Sequence, residues 1–485
     1  MHNIRSCKRM PFSLQKGFLH LFSGSVLGRG LSFLLNVAFS RFLGAPTLGL
    51  YALALNAIQA FELFSKLGLD YALSLELTSA AKFKTHDEFS FEEIQVINQS
   101  LTLVFFTSII GGISFAVWLL KGSAYLPISL ASQRSVIAIL LVIACFLESI
   151  NSYLWDILLA KAWTKRYAFR SGIIAPLKII FFAGGYFFAG TAGSFVFLII
   201  SALISWITVL QLLPSSIWNT FKASFDFALV KKLISAGNSL YLANTINALV
   251  FLPLWSALAS NSGLASLGYI RIGQLMVQLF ALVPGSLMPA YFLKLRLQAN
   301  PATANGTKSQ FLLLSSSALW SAGLVCLSTY VLLDKPLTSF LFGQQFIESL
   351  VATRVLVLSS VLDSVSAFYQ TYYLAAEFSS IFLVAQLLPS FLIIALAIFG
   401  LPLIGLEEFL MLKLLASALP LLVYLLLTQK ALIKMRLNIL LTALISFASF
   451  LPPGRESEFI ALVWTTIFLS LTLLCFNIKS YRASL

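Results

Sequence analysis

The chain has 485 residues, of which 59% are hydrophobic and 10% charged, and its formal net charge is +14. Soluble globular proteins are about 25% charged and about 45–50% apolar, so this composition excludes a soluble enzyme, a secreted domain and a disordered chain. It indicates a polytopic membrane protein.

A helix needs about 20 mainly apolar residues to cross a bilayer. Fourteen runs meet this requirement, and they predict an all-α fold with about 14 transmembrane helices. The runs lie at 17–43, 48–72, 96–120, 135–160, 171–191, 194–214, 236–260, 264–293, 309–332, 353–375, 380–400, 404–428, 437–452 and 458–476.

The basic residues occur in short clusters between these runs. If the N-terminus is cytoplasmic, the inner segments hold 21 of the 32 Lys and Arg residues and the outer segments hold five. Cytoplasmic loops of membrane proteins are enriched in Lys and Arg. The alternation therefore predicts that both termini are cytoplasmic, and it explains the positive charge without a nucleic-acid partner.

The chain divides near its middle at a polar stretch. We predict that residues 215–235 form an amphipathic linker on the cytoplasmic membrane surface. This linker separates an N-terminal six-helix lobe (1–214) from a C-terminal six-helix lobe (236–430), and residues 431–485 add two helices and a tail. The loops are all short, so no extramembrane domain is expected to house an enzyme active site.

A faint internal repeat accompanies this division. Residues 40–64 resemble residues 258–282, with Gly49 corresponding to Gly268 at an offset of 219. Six helices separate the two copies, so both copies have the same orientation in the membrane. Parallel repeats predict two lobes around a central cavity that contains the binding site.

Polar residues form stripes on several predicted helices. A charge at mid-bilayer costs about 2.5–3.5 kcal/mol on insertion scales, so it normally faces a cavity or a partner. On the first helix, for example, Arg29 and Asn36 share one face. The candidate cavity residues are Arg29, Asn36, Asn56, Gln59, Lys66, Lys178, Arg271, Gln274 and Gln278. The acids Glu62, Glu148 and Asp363 are candidates for coupling to H⁺ or Na⁺.

Structural interpretations of the same residues stay open. Glu62 and Lys66 are four residues apart and have the spacing of a neutralising pair on one helix. Arg29 has a structural alternative as a bridge between the lobes, to Glu148 or Asp363. Stripes of Ser and Gln often hold helices together, and Lys178 has a second interpretation as a side chain that extends to the membrane interface.

Two further charged residues, Asp156 and Lys413, lie near the ends of predicted helices, and we expect no functional role for them. The chain has no catalytic motif and no metal-ligand spacing among its four Cys and three His residues. We therefore predict no catalytic residue, no metal site and no cofactor other than a coupling ion.

Four stretches resemble polysaccharide flippases. They are GRGLSFLLNVAFSRFLGAPTLGLYALA (28–54), LGYIRIGQLMVQLFALVPGSLMPAYF (267–292), LFGQQFIESLVATRVLVLSS (341–360) and LPLIGLEEFLMLKLLAS (401–417). The resemblance is to the Wzx/PST-type branch of the multidrug/oligosaccharidyl-lipid/polysaccharide exporter superfamily. It implies two six-helix lobes that move undecaprenyl-diphosphate-linked oligosaccharide across the inner membrane by alternating access. It also implies glycosyltransferases or a polymerase of the same pathway as partners.

The basic residues are consistent with such a substrate, because Arg29, Lys178 and Arg271 lie deep in predicted helices and a diphosphate needs cationic contacts. We expect Arg29 to matter more for export than Lys413. The alternatives are a drug/cation antiporter, a lipid II flippase of the same superfamily and a membrane polysaccharide polymerase or glycosyltransferase. The short outer loops argue against the polymerase.

Overall fold

The computed structural model describes most of the chain from residue 14 to residue 427. The described residues are 14–77, 89–121, 133–161, 163–215, 217, 226–282, 284, 285, 287, 288, 291, 292, 307–375, 379–400, 405–427, 438, 439 and 442. Within these ranges the regular elements are all helical. Among the described residues, seven helices are long and apolar enough to cross a membrane, as judged by length and composition. The predicted all-α polytopic membrane fold is confirmed.

The helices are numbered in chain order. They are α1 (Leu14–Lys66), α2 (Leu69–Leu77), α3 (Phe91–Lys121), α4 (Arg134–Ala160), α5 (Thr164–Phe169), α6 (Ala175–Leu212), α7 (Phe227–Phe280), α8 (Thr307–Phe342), α9 (Leu350–Ala375), α10 (Ser379–Gly400) and α11 (Leu406–Leu427). A π-helical turn (Arg170–Ile174) joins α5 to α6, and a 3₁₀ turn (Gln344–Ser349) precedes α9.

Three of these helices contain a sharp break and therefore supply two membrane segments each. The breaks lie at Gly44 in α1, at Ala189 and Gly190 in α6, and at Gly263 in α7. Divided there, the described helices match the first twelve predicted spans. The predicted spans 437–452 and 458–476 lie outside the described residues, apart from residues 438, 439 and 442.

The breaks in α1 and α7 have the same geometry. Gly44 has φ 73° and ψ 175°, and Gly263 has φ 79° and ψ 171°. Only glycine adopts this region without strain of about 1–3 kcal/mol. The two glycines are 219 residues apart, which is the offset of the internal repeat.

Close backbone contacts follow each break and are reciprocal. A Cβ atom on Gly49 would lie 1.9 Å from the carbonyl oxygen of Leu264, and one on Gly268 would lie 2.1 Å from that of Ala45. Leu264 and Ala45 are also 219 residues apart. Each repeat therefore makes the same contact with the other, as expected for two units related by a pseudo-twofold axis.

The two halves also touch at both ends of the predicted spans. At the end predicted to face outward, Arg41 donates from Nε to the Leu341 carbonyl (2.9 Å) and from a terminal guanidinium nitrogen to the Phe340 carbonyl. At the end predicted to face the cytoplasm, the Tyr71 hydroxyl donates to the Leu374 carbonyl (2.9 Å). These contacts connect α1 to α8 and α2 to α9.

The start of α7 differs from the prediction for the linker 215–235. Asp226 caps this helix, because its Oδ1 accepts from the backbone N–H groups of Ala228 (2.9 Å) and Leu229 (3.2 Å). The helix thus begins at Phe227 and runs directly into the span predicted from residue 236. Residues 216 and 218–225 of the predicted linker lie outside the described residues.

Candidate functional site

A central cavity of about 680 Å³ lies between the second half of α1 and helices α7, α9 and α11. Polar side chains reach it from four helices: Asn56 from α1, Gln274 from α7, Asp363 from α9 and Lys413 from α11. Trp255 of α7 also lines it. Pockets that bind small molecules measure about 300–1,000 Å³ and combine apolar walls with a few placed polar groups.

A second chamber of about 400 Å³ adjoins this cavity and shares Asn56, Trp255, Asp363 and Lys413 with it. It adds a set of amide and hydroxyl side chains. These are Gln59, Ser366, Gln370 and Gln386. Together the two chambers form one compartment with mainly apolar walls, in which placed hydrogen-bonding groups outnumber the charges.

The charges of this compartment are the loosely paired Asp363 and Lys413. Lys413 Nζ lies 3.5 Å from Asp363 Oδ2, and the two side chains are 32% and 50% exposed. Lys413 Nζ also lies 5.7 Å from the centre of the Phe251 ring. An exposed pair of this kind contributes about 0–1 kcal/mol, so both groups remain available to a ligand.

A separate polar network lies inside the N-terminal bundle. The Glu148 carboxylate is fully buried, and its Oε2 lies 2.7 Å from Lys178 Nζ. Asn151 Nδ2 donates to the same oxygen at 3.4 Å. The other oxygen, Oε1, accepts no hydrogen bond from the described residues.

The same network continues towards the ends of α1 and α4 that are predicted to face the cytoplasm. Asp156 pairs with Lys66 (2.7 Å) and with Arg170 (3.5 Å), and the Ser152 hydroxyl accepts from both cations at 2.7 Å. Glu62 is close enough to Lys66 and Arg170 to interact electrostatically. The cations Lys66, Arg170 and Lys178 are therefore each paired with carboxylates inside this bundle.

The predicted cations of the first and eighth spans lie where the two halves meet. Arg29 donates to the Gln278 backbone carbonyl (3.3 Å), and its guanidinium lies beside Gly285, which lines the central cavity. Arg271 is buried, with its guanidinium 5.1 Å from the Tyr51 ring and bonded to Gln274 Oε1 (3.2 Å). Arg29 thus joins the halves through a carbonyl group rather than through Glu148 or Asp363.

Several predicted cavity residues are placed elsewhere. Of the predicted set, Asn56, Gln59, Gln274 and Asp363 line the central compartment. Asn36 is buried and donates to the Ser32 carbonyl one turn back. Gln278 contributes its backbone carbonyl to Arg29.

The structure differs most clearly from the predicted set of cavity residues at Lys66 and Lys178. Neither lines the central compartment, because each ammonium group pairs with a carboxylate of α4 inside the N-terminal bundle. Lys66 therefore does not form its closest pair with Glu62 on its own helix, and Lys178 does not extend to the interface. Glu62 and Glu148 interact with the same cations, and neither is among the residues that line the compartment.

Lys413 and Asp156, for which the sequence predicts no functional role, both contact other charged groups. Lys413 lies seven residues inside α11, about 10 Å from its start at a rise of 1.5 Å per residue, and it lines both chambers. Asp156 holds the two cations Lys66 and Arg170. The depth of Lys413 is a signal that the sequence contains, because Gly405 marks the start of that helix.

Comparison with known proteins identifies the fold. No protein-family model matches the sequence, and no curated protein sequence matches it. Solved structures do. An outward-facing multidrug resistance MATE family transporter of the MOP superfamily is 14% identical, with a TM-score of 0.59 and coverage of 88% of this chain and 97% of that one.

Two other structures agree. An Asp-to-Asn mutant of the Vibrio cholerae MATE transporter VcmN is 15% identical, with a TM-score of 0.61 over 88% of this chain and 98% of that one. A MATE protein in complex with MaD5 is 13% identical, with a TM-score of 0.60 over 90% of this chain and all (100%) of that one. The chain therefore has the polytopic helical fold of these MATE transporters, and the fold class expected from the sequence is confirmed.

Proposed function

We propose that the chain is a transporter that moves a polyprenyl-diphosphate-linked oligosaccharide from the inner to the outer leaflet of the cytoplasmic membrane by alternating access. The observation that carries this proposal is the composition of the central compartment. It holds many amide and hydroxyl groups, one aromatic wall and a weakly paired cation, on a fold shared with known transporters.

The amide and hydroxyl groups suit the sugar part of such a substrate. Side-chain amides both donate and accept hydrogen bonds, as sugar hydroxyl groups do. Asn56, Gln59, Gln274 and Gln370 supply four amides around one space. Trp255 adds a large flat surface beside them.

The diphosphate requires cations, and two are in reach of the compartment. Lys413 lies in it, and Arg29 lies beside Gly285 at its edge. The ion pair between Lys413 and Asp363 is weak, because its atoms are 3.5 Å apart. A diphosphate carries more negative charge than Asp363 and would therefore be a stronger partner for Lys413. We therefore place Lys413 together with Arg29 in the substrate path.

Ion coupling forms part of the proposal. Glu148 is the strongest candidate, because it is fully buried and one of its carboxylate oxygens lacks a hydrogen-bond partner among the described residues. The unpartnered oxygen is the atom that would take up a proton or ligate Na⁺. Asp363, inside the compartment, and Glu62, near Lys66 and Arg170, are the other candidates.

A second function, export of a hydrophobic cation, is favoured by one observation. Asp363 shares the compartment with Phe251, Trp255 and Phe409, and a carboxylate beside aromatic rings attracts an organic cation. The 14% identical structure is described as a multidrug resistance transporter. Export of an organic cation requires the carboxylate of Asp363, whereas transport of a lipid-linked oligosaccharide requires the ammonium group of Lys413.

The test begins with deletion of the gene in its host. Under our proposal, lipid-linked oligosaccharide accumulates on the cytoplasmic leaflet and surface glycan is lost, and the wild-type gene restores both. Mass analysis of the accumulated lipid separates an oligosaccharide carrier from lipid II. Unchanged surface glycan together with increased drug sensitivity would support the cation exporter instead.

Complementation with point variants then tests the compartment. Lys413→Gln is expected to weaken transport about tenfold or more, because a hydrogen bond to a charged group contributes about 1.5–3 kcal/mol. The matched control is Lys335→Gln on α8, whose exposed lysine lies outside both chambers. Equal glycan transport by the two variants at equal expression would remove Lys413 from the substrate path.

A further inference from the structure

The first half of α1 is held against the segment that connects α4 to α6. Its contacts recur every four residues, so they lie on one face of the helix. His20 Nδ1 lies 3.2 Å from Thr164 Oγ1. A Cβ atom on Gly24 would lie 2.6 Å from the Ala168 carbonyl oxygen, so the two backbones touch there. The third contact, at Gly28, is with the π-helical turn that joins α5 to α6.

The contact at Gly28 is closer still. A Cβ atom there would lie 1.4 Å from the Ser171 carbonyl oxygen, so any larger residue is excluded. In a π-helical turn each carbonyl accepts from the N–H group five residues later, as the Arg170 carbonyl does from Ala175. The residue five positions after Ser171 is Pro176, which has no N–H group. The turn thus presents a carbonyl oxygen to α1, and the Cα–H group of Gly28 faces it.

The side chain that begins the same turn enters the charged network of the N-terminal bundle. Arg170 donates to the Ser152 hydroxyl group at 2.7 Å and lies 3.5 Å from the Asp156 carboxylate. Lys66 pairs with the same carboxylate at 2.7 Å. The turn is therefore anchored to α4 through Arg170 and contacts α1 through Ser171.

The residue after Gly28 is Arg29, the cation at the edge of the central compartment. Its guanidinium donates to the Gln278 carbonyl at 3.3 Å and would lie 2.7 Å from a Cβ atom on Gly285. This hydrogen bond is long, and Arg29 has no carboxylate partner among the described residues. The place of its guanidinium therefore depends on where the backbone of α1 lies.

We propose that Arg170, acting through the π-helical turn, positions Arg29 at the central compartment. This inference rests on the proposed function, in which Arg29 contacts the diphosphate, and it adds a residue that does not touch the substrate. The contact between Ser171 and Gly28 transmits the position of the turn to the neighbouring residue of α1. A binding group must be held within about 0.5 Å of its productive position, so loss of the anchor at Arg170 displaces Arg29 enough to matter.

A cysteine at position 285 reports the position of Arg29. The full-length variant Gly285→Cys places a thiol in the central cavity beside the guanidinium. The four native cysteines are replaced in the same chain: Cys7→Ser, Cys145→Ala, Cys326→Ser and Cys475→Ser. A neighbouring guanidinium favours the thiolate, which is the form that iodoacetamide alkylates.

The measurement, in nanodiscs, is the ratio of the alkylation rate at about pH 7 to the rate at about pH 9.5. At the higher pH a thiol is largely ionised without help from a cation. A change in access to the thiol alters both rates alike and leaves the ratio unchanged. The ratio therefore follows the charge beside the thiol and separates displacement of Arg29 from general loosening of the bundle.

Arg29→Gln is expected to lower this ratio about fivefold, because the cation beside the thiol is lost. Arg170→Met is expected to lower it between about twofold and fivefold, although Arg170 lines neither chamber. Asp156 keeps Lys66 as its partner in this variant, so the bundle is expected to fold. Arg170→Lys is expected to restore most of the ratio, because its ammonium group also pairs with Asp156.

The matched control is Arg166→Met on α5. Arg166 donates to the Leu212 carbonyl at 3.2 Å, and its guanidinium lies 4.5 Å from the centre of the Trp163 ring. Its removal also deletes one cation of this segment but leaves the anchor at Asp156 in place, so the ratio is expected not to change. An unchanged ratio in Arg170→Met, or an equal fall in both methionine variants, overturns the positioning role of Arg170. An unchanged ratio in Arg29→Gln overturns the placement of Arg29 on which that role depends.

Gly28→Ala tests the route. This variant separates α1 from the turn and is expected to lower the ratio as Arg170→Met does. If Arg170 acts through this contact, the double variant Arg170→Met/Gly28→Ala lowers the ratio no further than either single variant. Falls that multiply in the double variant would refute the route through the turn.

Glycan transport, measured by complementation at equal expression, separates this inference from the proposed function. Arg170→Met is expected to lower transport several-fold, whereas Arg166→Met is expected to leave it unchanged. A lowered ratio with undiminished transport would refute a role for this positioning in transport. A lowered ratio in Arg170→Met, together with normal surface glycan in the deletion strain, would support the positioning of Arg29 and refute oligosaccharide transport.

Discussion

The buried Lys178–Glu148 pair allows a quantitative test of the polar network in the N-terminal bundle. At 2.7 Å and an effective dielectric constant of about 20, the attraction between the two charges is about 6 kcal/mol. Removal of both charges from water offsets most of this attraction. The net contribution of the pair is therefore small, but the loss of one partner is costly.

We expect Lys178→Met to lower the free energy of unfolding by about 3–5 kcal/mol, because it leaves the Glu148 carboxylate buried without its cation. The double variant Lys178→Met/Glu148→Gln is expected to recover most of that loss. Denaturant titration in mixed micelles, read by intrinsic fluorescence, measures the three free energies. Surface glycan assays on the same variants report separately whether the double variant still transports.

The pair Lys413–Asp363 provides the matched control. Its atoms are 3.5 Å apart and its side chains are partly exposed, so Lys413→Met is expected to change stability by at most about 1 kcal/mol. A Lys178→Met variant as stable as Lys413→Met would refute the reasoning. So would a double variant as unstable as the sum of its single variants, because that result would mean that the two side chains stabilise the bundle independently.

Further predictions concern the repeat and the contact between its halves. Gly44→Ala and Gly263→Ala are each expected to lower the free energy of unfolding by about 1–3 kcal/mol, and very different losses would contradict the equivalence of the two breaks. Gly49→Ala is expected to cost about 1–3 kcal/mol by overpacking, whereas Gly30→Ala, where a Cβ meets open space, is expected to leave stability unchanged or raise it by up to about 1 kcal/mol. Arg41→Gln removes donors to two carbonyl groups at the end of α8 and is expected to speed hydrogen–deuterium exchange there. Exchange in α4 provides the reference for that measurement, and a rate unchanged at the end of α8 would show that the contact is dispensable.

The sequence alone determined the membrane segments and their order. In a bilayer, every backbone polar group must be paired inside the chain, so a run of about 20 apolar residues forms a helix whatever its neighbours are. The first twelve spans follow from that requirement alone. The repeat was also visible, because Gly49 and Gly268 allow backbone contacts that a larger residue would block.

The tertiary structure decided which polar side chains meet. Helical periodicity identifies the face on which Lys66 lies, but not the neighbouring helix that this face contacts. Its partner Asp156 is 90 residues away, and a carboxylate four residues away on the same helix was the pairing visible in the sequence. Lys413 was predicted to have no functional role because it lies near the start of a helix, but its side chain lines the central compartment.

The interactions that hold the helices together explain why the sequence determines the spans but not the contacts between them. Lipid is as apolar as the helix surfaces, so hydrophobicity selects the spans but does not select their partners. Packing of small residues and pairing of polar groups make that selection, and both depend on the three-dimensional arrangement. The sequence therefore determined the helices that cross the membrane, and only their packing decided which polar groups form the cavity and which neutralise one another inside the bundle.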